Sequence, residues 1–121
     1  MDERVNTLAV DLSAILTRLG GDATFAIECT ELLEADLPAM LYALNQGFRL
    51  GSAEAIHRGA HTLKGVLSNF CETGPTLTAA RIDILVLGGR IDDARPLMAV
   101  LEEEVASLVT LLHGLRSWPT S

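Results

Sequence analysis

Cysteine is scarce. Cys29 and Cys71 are the only two, too few for a disulfide framework and too far apart for a paired metal or redox motif. Two small buried thiols in a reducing, cytoplasmic setting are the expectation. Aromatic residues make up only 4% of a chain that is 49% hydrophobic, so leucine, isoleucine, valine and alanine must fill the core, as they do between packed helices. No apolar run approaches the ~20 residues of a membrane span, and the start, Met1-Asp2-Glu3-Arg4, has no basic flank or apolar signal stretch. Membrane insertion is not expected. Positive charge is also short: nine Lys+Arg against sixteen Asp+Glu leave a net charge of -7, which repels nucleic acid unless a local patch reverses the sign. A Gly-x-x-x-x-Gly-Lys loop and a glycine-rich nucleotide fingerprint are both missing, so no ATP site is expected. Sustained two-residue alternation is missing too, and the segment from Asp83 to Leu87 is the one stretch that could pass for a buried strand.

What remains is helical periodicity. Val5, Leu8, Leu12, Ile15, Leu16 and Leu19 recur at three- and four-residue steps and predict a first helix, stopped by Gly20-Gly21. Asp22 is placed to cap a second, with an apolar set of Phe25, Cys29, Leu32, Leu33, Leu37, Met40, Leu41 and Leu44. Pro38 removes one backbone bond inside that stretch; because the pattern resumes beyond it, the expectation is one kinked helix. Ser52 caps a third helix with Ile56, Ala60, Leu63, Val66, Leu67 and Phe70 as its buried stripe. Gly74-Pro75 opens a fourth, running through Leu77, Ala80, Ile84, Leu85 and Leu87 to Gly88-Gly89. Asp92 or Asp93 caps the fifth, with Pro96 in its first turn and leucines and valines from Leu97 to Leu115 holding the period. Short glycine-bearing connections favour antiparallel neighbours, so the expected fold is all-α: an up-and-down four-helix bundle of helices two to five, with an additional N-terminal helix across one end. At 121 residues one core is the default, burying roughly two-thirds of the unfolded surface. Such a chain fits a complete small protein or one domain of a longer one.

The third helix carries the chemistry-bearing residues. Glu54, His57, Arg58, His61, Lys64, Gly65 and Ser68 fall three or four apart, on the face opposite the buried stripe. That spacing exposes both histidines and gathers His57, Arg58 and Lys64 around His61, a local electropositive spot in an acidic protein. Read blandly, this is a solvated face whose charges do little. A metal reading also exists, since His57 and His61 four apart could clip an ion with Glu54 as third ligand, but no further cluster completes a closed site. His113 among leucines is expected to be a partly buried structural residue, and Arg81 a surface or snorkelling charge.

The run from Ala60 to Phe70, with His61, Leu63, Lys64, Gly65 and Asn69 at its key positions, resembles the signature of the histidine-containing phosphotransfer (HPt) domain family. The segments Leu19-Gly20-Gly21-Asp22, Asp36-Leu37-Pro38, Gly51-Ser52-Ala53-Glu54-Ala55 and Gly88-Gly89-Arg90-Ile91-Asp92 are similar to the family too, so that the likeness spans about residues 8–115 of a single domain over 1–121. It departs from the family in two respects: Cys71 stands where glycine is usual, and Val66-Leu67 is bulkier than the common small pair. The resemblance implies a phosphorelay intermediate in which His61 accepts a phosphoryl group from the aspartate of a receiver domain and passes it to another. Lys64 would stabilise the phosphate, Gly65 would leave access, and His57, Arg58 and Ser68 would line the docking surface. The partners implied are receiver domains of hybrid sensor kinases and response regulators, which bring the magnesium ion; the chain would need no cofactor and would have no kinase activity of its own. An imidazole near its ordinary pKa of ~6.5 is largely neutral in the cytoplasm and is a competent nucleophile toward phosphorus. Two other functions fit the same surface: a phosphorylation-independent, receiver-binding adaptor, and a metal-binding helical bundle.

Overall fold

The computed structural model describes residues 12–118, and among these every regular element is helical. Residues 12–18 are helical (α1). They are followed by α2 (Ala23–Leu50), α3 (Ala53–Leu67), α4 (Pro75–Leu87) and α5 (Ile91–Leu112), and a 3-10 turn at His113–Ser117 ends the last helix. The expected Val5 and Leu8 lie outside the described residues; Leu12, Ile15 and Leu16 are buried as their spacing requires.

Most helix ends follow from local chemistry. The Asp22 carboxylate accepts from the N–H groups of Thr24 and Phe25, and the Ser52 hydroxyl from that of Ala55, which satisfies donors that the first turn leaves open. Gly51 takes the left-handed conformation, φ 62°, that lets α2 stop and α3 begin at once. The start of α5 differs from expectation: Arg90 stands at the cap without a side-chain bond, and Asp92 and Asp93 lie in the first turn. There their charges meet the positive end of the helix dipole, which replaces the missing cap. Pro96 consequently falls one turn further in, on the exposed face. Helix α2 runs unbroken across Pro38, also exposed, where water can take the carbonyl that the ring leaves unpaired.

The helices form an up-and-down ring. Gly47 of α2 meets Ile56 of α3, and Leu44 meets Gly59, so numbers fall along one helix as they rise along the other. The contacts Cys71 with Thr76 and His57 with Asp83 give the same sense for α3 and α4. Arg95 Nη1 donates to the Phe48 carbonyl at 2.9 Å, and His113 Nε2 pairs with Glu34, which closes α5 onto α2 in the antiparallel sense. Helix α1 covers the end where α3 finishes: Arg18 reaches the Ser68 carbonyl and, at 3.2 Å, the Glu72 carboxylate.

One contiguous aliphatic core runs through all five helices, with Leu44, Ile56, Leu63, Leu67, Ile82, Leu101, Leu112 and Leu115 fully enclosed. Each such side chain contributes about 1.5–3 kcal/mol. Several expected faces are corrected. Phe25 and Leu32 are exposed, and the inner line of α2 is Ala26, Thr30, Leu33, Leu37 and Leu44. Thr30 can be inside because its hydroxyl donates to the Ala26 carbonyl at 2.9 Å. On α4, Leu77, Ile84 and Leu87 face solvent, while Ala79, Ile82, Asp83 and Val86 face inward. The two thiols are half-buried, not buried. His113 is exposed and pins the last turn to α2 through Glu34.

Candidate functional site

Helix α3 has the sharpest division of faces. Ile56, Ala60, Leu63 and Leu67 are buried completely, and Gly59 lets the backbone of α3 approach Leu44 so closely that an added methyl would meet it at 3.3 Å. A helix fixed this firmly presents its outer residues on a rigid base. His61 is the residue it presents: the side chain is 70% exposed. Lys64 and Gly65, one turn on, are exposed as well.

The structure adds a residue that sequence reasoning passed over. Asp83 of α4 has a side chain only 12% exposed and turned toward both histidines. His57 Nδ1 donates to its Oδ1 in a short contact, and its Oδ2 stands 3.9 Å from His61 Nδ1. The two imidazoles lie with centroids 5.8 Å apart and planes tilted by 37°. His61 thus turns Nδ1 toward a buried carboxylate and leaves Nε2 as the nitrogen directed away from it. A signal for Asp83 was present, since a lone acid inside the aliphatic run from Ile82 to Leu87 must be solvated or partnered. It went unused because α4 carries aliphatic residues around its whole circumference, so the periodicity does not say which side is inner.

The expected electropositive cluster is corrected by the same geometry. Arg58 is paired with Glu54 at 2.8 Å on the exposed surface, and His57 is engaged by Asp83 and half-buried, with 42% of its side chain exposed. Lys64 has no salt-bridge partner among the described residues. Ser68 is half-buried, with its hydroxyl donating to the Gly65 carbonyl at 2.8 Å and its own carbonyl held by Arg18. Glu54, the third ligand of the metal reading, is turned to Arg58, and the described residues contain no group of three His, Cys, Asp or Glu placed to hold an ion.

Gly65 is unusual in having no internal reason to be glycine. Its backbone is helical, and a Cβ built on it would meet nothing within 4 Å. Glycine inside a helix costs roughly 0.5–1 kcal/mol relative to alanine. Among the described residues nothing packs against this position to offset that cost.

No described helix is long and apolar enough to cross a membrane. Nothing among curated proteins or solved structures matches the chain. A family model does: the Hpt domain matches residues 28–111, which take in α3, α4 and the whole of the site. A match over so much of the sequence, on an all-helical bundle that holds a histidine out to solvent, makes this chain a member of the Hpt domain family, the phosphocarriers that work with receiver domains in the histidine phosphotransfer of two-component signalling.

Proposed function

We propose that His61 is the phospho-acceptor of a phosphorelay, taking a phosphoryl group from the aspartate of one receiver domain and giving it to another. The observation that carries this reading is the environment of that ring: exposed on a rigid helix, with Nδ1 toward the Asp83 carboxylate and open space over Gly65. A carboxylate on that side favours the proton on Nδ1, which leaves the Nε2 lone pair free to attack. In the transfer the Nε2–P bond forms as the P–O bond of the aspartyl phosphate breaks, and its electron pair leaves on the receiver carboxylate. The His61 ring keeps its Nδ1 proton and acquires positive charge, which Asp83 faces. Lys64 offers its ammonium to the phosphoryl oxygens, and the bare backbone at Gly65 lets the receiver come within in-line distance. His57, Arg58 and Ser68 border this spot and form part of the docking rim.

The magnesium ion of the reaction is supplied by the receiver, whose active site performs most of the catalysis; this chain acts as one domain, a substrate and shuttle without kinase activity or a cofactor of its own. Its two free thiols suit the reducing cytoplasm. The test is to mix the chain with a phosphorylated receiver. An acid-labile, alkali-stable label should appear on it and be lost in His61→Gln. Label retained in the variant rejects the assignment, and receiver binding without any transfer, indifferent to His61→Gln, identifies an adaptor instead.

A further inference from the structure

The Asp83 carboxylate has two claimants and does not serve them equally. His57 Nδ1 is bonded to Oδ1, whereas His61 Nδ1 stands 3.9 Å from Oδ2, outside hydrogen-bonding range. An ionised carboxylate only accepts, so the nitrogen bonded to it carries the proton. His57 is therefore held in its Nδ1–H form, and His61 feels the same carboxylate through charge alone. With Asp83 only 12% exposed, little water can stand in for either ring. On the same helix Lys64 is exposed and Arg58 is paired with Glu54.

Resting on the reading of His61 as phospho-acceptor, we propose that His57 is a positioning residue that holds Asp83 back from His61 and so sets the fraction of the acceptor ring in its reactive tautomer. Attack through Nε2 needs the proton on Nδ1. A carboxylate bonded to His61 would fix it there; a carboxylate bonded to His57 only biases it. His61 Nδ1 stands about an ångström beyond the reach of Oδ2, because a hydrogen bond needs roughly 3 Å. Transfer itself tips the balance: once the Nε2–P bond has formed, the His61 ring is cationic and competes for Asp83 more strongly than the neutral ring did. His57 restrains the empty site and yields in the loaded one.

The experiment compares the wild-type chain with His57→Leu, His57→Asn, Asp83→Leu and the double variant His57→Leu/Asp83→Leu. Imidazole tautomers are read by nitrogen NMR at a pH where the rings are neutral, and labelling of His61 by a phosphorylated receiver is timed. His57→Leu should raise the Nδ1–H fraction of His61 and speed labelling by the same factor, since only that tautomer presents a free Nε2 lone pair. His57→Asn, whose amide N–H replaces the Nδ1 donor, should return the His61 tautomer to near wild type. The double variant should show no gain, and Asp83→Leu alone should cost His57 its Nδ1–H preference, a reading that does not depend on His57→Leu folding. An unchanged His61 tautomer in His57→Leu, or a gain that persists without Asp83, overturns the proposal. A wild-type chain that takes no label overturns the reading of His61 instead, while the tautomers still decide how Asp83 is shared.

Discussion

An alanine at position 65 would find open space around its methyl group, which makes Gly65 the residue where stability and function pull apart most plainly. Gly65→Ala should stabilise the fold by roughly 0.5–1 kcal/mol, since helix propensity is the only folding consequence; urea titration checks this. Gly65→Gln should keep most of that gain and yet slow transfer from a receiver by about a hundredfold, the scale on which small misplacements of reacting atoms act. A loss of stability in Gly65→Ala would mean that the glycine serves packing after all. Lys64→Ala, at an exposed position with no ion-pair partner among the described residues, should leave stability within about 0.5 kcal/mol and reduce the transfer rate. The exposure of His61, Lys64 and Gly65 was legible because the helical period puts them on one outward face. Asp83 was not, since its role depends on which residue of another helix it meets.

Among the elements, α3 is the one whose sequence decides most. Its apolar and polar positions separate cleanly, so that periodicity alone separates Ile56, Ala60, Leu63 and Leu67 from His61 and Lys64. The other helices were less legible for stated reasons. In α2 a buried threonine and alanine take positions that a reading by hydrophobicity gives to Phe25 and Leu32, and in α4 apolar side chains on every side leave the inner face undetermined. The α2–α3 pair also depends on small residues at the crossing. A methyl at Gly47 would lie 3.0 Å from both the Ile56 side chain and its backbone nitrogen, so Gly47→Ala should force the helices apart and cost about 1–3 kcal/mol despite its better helix propensity. Ser52→Ala, which removes the hydroxyl that accepts from Ala55, should cost about 1 kcal/mol. Both are read by chemical denaturation, and a neutral result at Gly47 would contradict the close approach of α2 and α3.

For the whole molecule, the bundle core fixes α3 and with it the base on which the His61 ring stands. The core that fixes α3 contains Leu63, fully buried two residues beyond His61, and Leu63→Ala should cost about 2–5 kcal/mol in the cavity it leaves. Such a variant, if it stays folded, should lower transfer by loosening the helix and not by altering the chemistry of the imidazole. The up-and-down order of α2 to α5 was legible from short glycine-bearing connections, and the ring of contacts among them agrees. That α1 lies across one end was also expected; which end it covers was not, because the bonds that seat it run from Arg18 to the Ser68 carbonyl and to Glu72, far along the chain. The most direct measurement is to locate the phosphorus after incubation with a phosphorylated receiver, by phosphorus–nitrogen coupling in a nitrogen-labelled chain. Coupling to Nε2 of His61 is the predicted result; phosphorus on His57, on His113 or on no histidine would contradict it.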